Sequence, residues 1–286
     1  MNTTDLFKNK TVFSLEVFPP KREASLESIY KTFGTFKEIN PDFISVTYGA
    51  GGSSNINSTA NIANTLVHDY GYNAVAHLAA IGLKKSDVHA IVDHLLEIGV
   101  NNILALRGDA RDDLPQGDFN HAVDLIEYLK ANYGDKVNII AACYPEGHNE
   151  AKSFNDDLRH LKEKVDAGAS HLISQLFFNN ESFYNFRERC DLIGINVPIE
   201  AGIMPVANTK QIERIVTLCG VELPKKFTKI MSRYEDNPEA LRDAGIAYAV
   251  DQIVDLVTQG VSGIHLYTMN NPYIATKIYG AIKNIL

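Results

Sequence analysis

The sequence predicts an α/β protein folded as a (β/α)8 TIM barrel, with an extra helix between the seventh and eighth strands. Three observations lead there. Eight short apolar or β-branched runs recur along the 286 residues. Stretches of helical periodicity separate them. Most runs lie roughly 30 residues apart, enough for a right-handed crossover between parallel strands.

In chain order the strand runs are TVFSLEVF, DFISVTYG, NAVAHLAA, NNILALRG, NIIAACYP, HLISQLFF, VPIEAGIMPV and SGIHLYTM. Each is nearly continuous in apolar residues, as a strand covered on both faces must be. Among the intervening helices, Val88, Ile91, Leu95 and Ile98 share one face, with Ser86 expected as the N-cap and Gly99 as the C-cap. Phe154, Leu158, Leu161 and Val165 line one face of another. The charged run Arg187–Asp191 reads as a solvated helix face. The interval 222–260 is longer than the others and holds the extra short helix ahead of a long one. No Pro/Ser-rich linker divides the chain, so residues 1–286 are expected to form a single domain.

Composition narrows the partners. Hydrophobic residues make up 45% and charged residues 22%, an ordinary globular balance. A formal net charge of -8 argues against nucleic acid and anionic membrane surfaces. Cys143, Cys190 and Cys219 are too scattered for a zinc site and are expected as reduced thiols. No run is long and apolar enough for a membrane span, and residues 1–10 lack the apolar segment of a secretion leader. A cytoplasmic protein without a bound metal is the expectation.

Barrels of this kind place their chemistry at the C-terminal ends of the strands. Polar residues fall there repeatedly: Glu16, then Thr47 and Tyr48, His77, Arg107-Gly108-Asp109, Tyr144 through His148, Gln175 and Tyr267. Each alone has a bland explanation, such as a core histidine, a Gly-Asp turn or a rim tyrosine. Their coincidence on one rim favours a site. Glu16 poses the sharpest question, because an unpaired buried carboxylate costs several kcal/mol or stays protonated. It either points to solvent on an alternating strand or is kept in its acid form for use. The glycine-rich YGAGGSS, from Tyr48 onward, offers backbone N–H groups to a phosphate or ring system, or is simply a tight turn. No GxSxG, HExxH, Walker or GxGxxG motif competes.

The segments SLEVFPP, FISVTYGAGG, ILALRGD, AACYPEGHNEA, LKEKVDAGA, ISQLFFN and GIMPV, in that order, resemble the methylenetetrahydrofolate reductases of the bacterial, single-domain type. The resemblance runs from near Val12 to near Asn270 and leaves no room for the regulatory domain of eukaryotic members. It implies a single catalytic flavin-binding barrel that reduces 5,10-methylenetetrahydrofolate to 5-methyltetrahydrofolate. Noncovalent FAD would take hydride from NADH or NADPH and pass it on in ping-pong fashion, in one-carbon metabolism and methionine biosynthesis. It implies Glu16 as general acid, delivering a proton to N10 so that the folate ring opens to a 5-iminium cation. Asp109 would stabilise that cation and bear on the flavin. FAD contacts carry over to Thr47, Tyr48, Ala50, His77, Arg107, Gly108, Asp109, Ala122, Tyr144, His148, Asp157 and Lys164. Substrate contacts carry over to Glu16, Thr47, Asp109, Gln175 and Gln211.

The chain departs from the family pattern at four positions. Ile215 stands for a stacking phenylalanine, Asn271 for an arginine, Glu163 for a residue often basic and His160 for an asparagine. A homo-oligomer is expected, with a partner subunit as an alternative. A partner-dependent flavin subunit and a flavin-free pterin-binding barrel are the competing functions.

Overall fold

The computed structural model describes residues 1–20, 26–48, 56–109, 114–208, 211–212 and 219–286. Eight parallel strands close into a barrel in sequence order. They are β1 (Val12–Val17), β2 (Phe43–Val46), β3 (Ala74–Ala79), β4 (Asn102–Leu106), β5 (Asn138–Cys143), β6 (His171–Ser174), β7 (Ile199–Ile203) and β8 (Gly263–Tyr267). The first and last strands pair directly, with Ser14 opposite His265 and Glu16 opposite Tyr267. The helices are α1 (Leu26–Thr35), α2 (Ile56–His68), α3 (Lys85–Glu97), α4 (Ala122–Tyr133), α5 (Phe154–Asp166), α6 (Asn180–Leu192), α7 (Lys225–Tyr234), α8 (Pro238–Thr258) and α9 (Pro272–Ile282). The expected TIM barrel is present, and α7 is the extra helix between the last two strands. No helix among the described residues is long and apolar enough to cross a membrane.

Alternation along the strands sorts side chains into two cores. Outward residues such as Leu15, Val17, Ile44 and Val46 join the helices in the main apolar cluster. Inward residues Val12, Phe43, Val75, Leu104, Ile140 and Ile173 form a second cluster with Leu6 and Phe7. Leu6 and Phe7 belong to a 3-10 turn, Thr3–Lys8, that stoppers the N-terminal mouth. Polar pairing holds this stopper. Thr3 N–H donates to Asn102 Oδ1 at 3.0 Å, and Thr4 Oγ1 donates to Asn138 Oδ1 at 3.0 Å. One end of the barrel is thereby closed, and function is left to the other.

The caps differ in detail from the sequence expectation. α3 starts before Ser86, because the Asp87 carboxylate accepts the Lys84 N–H at 2.9 Å and makes Lys84 the cap. Gly99 follows the C-cap Ile98 in the left-handed region at φ 76°, the usual role of glycine past a helix end. Asn271 caps α9, its Oδ1 accepting the Ile274 N–H at 3.3 Å. Its departure from the family arginine therefore has a local structural use.

α7 and α8 build a satellite core over the rim, where Phe227, Met231 and Leu241 meet Leu176, Phe178, Val206 and Val221. Gly245 makes the close approach possible. A Cβ there would overlap the Val206 carbonyl, a backbone group that cannot swing away. Gly245→Ala should cost about 1–3 kcal/mol in urea denaturation despite the better helix propensity of alanine. Unchanged or raised stability would contradict this packing.

Candidate active site

Glu16 projects from β1 into the barrel at its C-terminal mouth. Its side chain is 17% exposed, and its Oε2 lies 3.5 Å from both His77 Nε2 and His265 Nε2. Two imidazoles thus flank the carboxyl at the mouth. Hydrophobic neighbours Leu15 and Val17 point the other way, into the helix layer. His77 sits on β3 and is buried; desolvation lowers its pKa to about 4, against the opposing pull of Glu16. It is thus a neutral ring near pH 7. Its Nε2 has no hydrogen-bond partner among the described residues, and neither has the buried Oγ1 of Thr47 beyond the end of β2.

A second group gathers at the ends of β4 and β5. Arg107 Nε donates to the Gly108 carbonyl at 3.0 Å, and its two terminal nitrogens grip Glu150, one at 2.9 Å. Gly108 turns the chain at φ 91°, where a Cβ would press on Ile81. Asp109 is exposed, and its charge acts on Arg107 and Tyr144. The Tyr144 ring meets the His148 ring edge-on at 4.6 Å. Asp157 Oδ2 accepts the His148 N–H at 3.2 Å. Lys164 Nζ donates to the Ala142 carbonyl at 2.6 Å and lies 5.9 Å from the centre of the Tyr144 ring. Burial lowers the Lys164 pKa while Cys143 and Asp157 oppose the shift. Burial likewise raises Asp157, and Lys164 opposes that.

The remaining expected residues are spread around the rim. Tyr48 follows β2 and its hydroxyl pKa is raised by burial. Ala122 is the first residue of α4. Gln175 follows β6, where its Oε1 accepts the Leu176 N–H at 2.9 Å. Gln211 Oε1 accepts the Ala207 N–H at 3.2 Å, leaving a buried Nε2 without a partner among the described residues. Among the described residues, Glu16 and His77 come together, as do Arg107, Tyr144, His148, Asp157 and Lys164, but no contact joins Asp109 to Glu16. The glycine-rich stretch after Tyr48, Ala50 included, and Ile215 lie outside the described residues.

Three buried residues beneath Glu16 were not anticipated. Ser14 Oγ donates to Glu200 Oε1 at 2.8 Å and lies 2.6 Å from His265 Nδ1. Glu200 is fully buried; desolvation pushes its pKa up to about 7, while His265 and the Ser14 hydrogen bond pull it down. A period-two reading could have found Ser14 and His265, which lie two residues before Glu16 and Tyr267 on their strands, whereas Glu200 has no such signal.

A closed barrel with titratable side chains converging inside its C-terminal mouth has the layout of a barrel enzyme. The comparisons make this specific. A family model described as "Methylenetetrahydrofolate reductase" matches residues 2–283. The 5,10-methylenetetrahydrofolate reductase of Pectobacterium carotovorum subsp. carotovorum is 37% identical over 265 residues, covering 93% of this chain and 88% of that protein. The Escherichia coli (strain K12) 5,10-methylenetetrahydrofolate reductase is 35% identical, covering 90% and 86%. The chain belongs to the methylenetetrahydrofolate reductase family. It spans about half the length of the plant relatives, as with the Arabidopsis thaliana "Methylenetetrahydrofolate reductase (NADH) 1", 34% identical over 92% of this chain and 47% of that one. A Clostridium thermocellum protein described as binding two copies of 5-methyl-5,6,7,8-tetrahydrofolic acid shares the fold, with a TM-score of 0.70 at 13% identity over 98% of this chain and 96% of that one.

The buried Glu200 has a consequence for stability. Its carboxyl ionises near 4.5 when unconstrained and near 7 in the fold, so the native state holds the proton more tightly. This contribution is complete below pH 4.5, declines as pH rises and is gone above about 7. Across that window wild type should lose about 3 kcal/mol relative to Glu200→Gln, read by urea denaturation at several pH values. A pH-independent difference between the two proteins would refute the assignment.

Proposed function

We propose that this chain reduces 5,10-methylenetetrahydrofolate to 5-methyltetrahydrofolate, with FAD as cofactor and NADH or NADPH as electron source. Family membership supports the reaction. The observation that carries the residue-level reading is Glu16 Oε2 at the open mouth, 3.5 Å from both His77 and His265. The whole chain, residues 1–286, then acts as a single catalytic flavin-binding barrel, cytoplasmic and homo-oligomeric.

The residues present fit FAD. Among the described residues, buried atoms on Thr47 and His77 lack partners and offer hydrogen bonds that a bound group would satisfy. Arg107 and Lys164 supply the positive charge a pyrophosphate requires in an acidic protein. Tyr48, Ala50, Gly108, Asp109, Ala122, Tyr144, His148 and Asp157 complete the set. When bound, FAD supplies the hydride chemistry.

The chain's own contribution is proton delivery and charge placement. Glu16 gives its proton to N10 of the folate, the C–N10 bond breaks, and the ring opens to a 5-iminium cation that accepts hydride. Asp109 faces the developing positive charge and holds the pterin. Gln175, Gln211 and Thr47 orient the substrate. With Asn271 engaged as a helix cap, docking of the folate tail relies on other residues.

The pure protein should carry flavin absorbance and turn over NADH with methylenetetrahydrofolate without a second protein. Glu16→Gln should keep its flavin and still pass electrons from NADH to a quinone, while folate reduction falls about 10²–10⁴-fold in stopped-flow half-reactions. Undiminished folate reduction would remove the proton-donor role. Asp109→Asn should slow folate reduction more than flavin reduction. Equal losses in both would indicate a binding defect instead.

A further inference from the structure

Beneath the mouth, a line of polar groups runs from Glu16 to the fully buried Glu200 on the inner face of β7. His265 Nε2 lies 3.5 Å from Glu16 Oε2. Its other nitrogen, Nδ1, is 2.6 Å from Ser14 Oγ, which is 2.8 Å from Glu200 Oε1. The groups come from β1, β8 and β7, brought side by side by barrel closure.

The donors and acceptors along this line admit two arrangements. A neutral imidazole carries one N–H, and a hydroxyl donates once. With Glu200 ionised, Ser14 donates to it and His265 Nδ1–H donates to Ser14. His265 Nε2 is then an acceptor, and only the acid form of Glu16 can donate to it. With Glu200 protonated, its O–H donates to Ser14 and Ser14 donates to His265 Nδ1. His265 then directs Nε2–H at the carboxylate of Glu16. The two arrangements hold the same number of protons and differ in which carboxyl carries one, in the His265 tautomer and in the direction of the Ser14 hydroxyl.

We propose that Glu16 and Glu200 share one proton through His265 and Ser14, so that Glu200 is a positioning residue that charges the proton donor at the mouth. This rests on the reading of Glu16 as the general acid. In the transfer, the Glu200 O–H bond breaks and its proton passes to Ser14 Oγ. The Ser14 proton moves to His265 Nδ1, and the His265 Nε2 proton moves to Glu16 Oε2. Glu200 is left as a carboxylate, and His265 gains one proton and gives one up, so its charge does not change. The donor is thus recharged after substrate covers the mouth and shuts out water. Solvent restores the proton through Glu16 once product leaves.

Other groups act on both ends. Glu200 also faces His171 of β6, whose Nε2 is 3.9 Å from Oε2, and feels Asp42 ahead of β2. His171 in turn contacts Thr4 Oγ1 at 3.1 Å and stays neutral, burial lowering its pKa to about 3. Glu16 also faces His77 of β3 and acts on Tyr267 of β8, while Ser45 of β2 lies 3.4 Å from His265 Nε2. Glu200 and Glu16 are the two carboxyls in this line, so the shared proton has two resting places.

The test reads the two carboxyls in flavin-free protein by ¹³C-glutamate NMR or carboxyl infrared bands. Glu16→Gln should shift the Glu200 midpoint by about one pH unit, and Glu200→Gln should shift the Glu16 midpoint reciprocally. Ser14→Ala keeps both carboxyls but interrupts the line, so the effect of Glu16→Gln on Glu200 should shrink in that background. Ser14→Ala also carries the test if Glu200→Gln fails to fold. In the holoenzyme, Glu200→Gln should displace the pH profile of folate reduction while NADH-to-quinone transfer keeps its own. A Glu200 midpoint unmoved by Glu16→Gln, or a shift undiminished by Ser14→Ala, would overturn the proposal. Both readouts are independent of the acid role of Glu16, which stands or falls on the folate half-reaction of Glu16→Gln.

Discussion

The pairing of β1 with β8 is the constraint on which the rest depends. It sets Ser14 opposite His265 and Glu16 opposite Tyr267, residues separated along the chain by almost its whole length. Without closure, the inner face of each strand would meet water and its polar side chains would need no partners. With closure, alternate residues of eight strands point into one enclosed space. A carboxyl there must be hydrogen-bonded, neutral or both. Glu200 meets that demand through Ser14 and a raised pKa, and His77 and His171 meet it by remaining uncharged.

Closure also divides the barrel into ends with different tasks. The N-terminal stopper fills one mouth with Leu6 and Phe7 and secures them through Asn102 and Asn138. This end is filled and structural. At the other end Glu16 is partly exposed, and among the described residues His77 and Thr47 carry buried polar atoms without a partner. Such atoms are destabilising in isolation and become useful when a ligand satisfies them. The satellite core of α7 and α8 extends the wall on the β6–β7 side, where Gly245 lets a helix lie against the Val206 backbone.

Two clusters of opposite character face this mouth. One, centred on Glu16, is carboxyl and imidazole, suited to holding and moving protons. The other, from Arg107 to Lys164, is cationic and aromatic, suited to an anionic ligand with a flat ring. Arg107 spends its fork on Glu150, an exposed carboxylate that an anionic ligand would displace. Placing the clusters on different strands keeps the cationic residues from neutralising Glu16 while both address one opening.

The barrel, its strand order and the rim positions were legible in the sequence because apolar periodicity and crossover length are local properties. Glu16, His77, Arg107 and Tyr144 could be named as rim residues for the same reason, since each sits at or near the end of a strand run. The family was legible as well, through ordered motifs that preserve those rim residues. The α3 cap was misplaced because Ser86 and Asp87 compete locally, and the carboxylate took the Lys84 N–H. Only the tertiary structure decided that Glu16 faces histidines, that Asn271 serves as a helix cap, and that Glu200 lies beneath the site. Those facts depend on register across strands remote in the chain, and a hydrogen bond between β1 and β7 has no signature until the barrel closes.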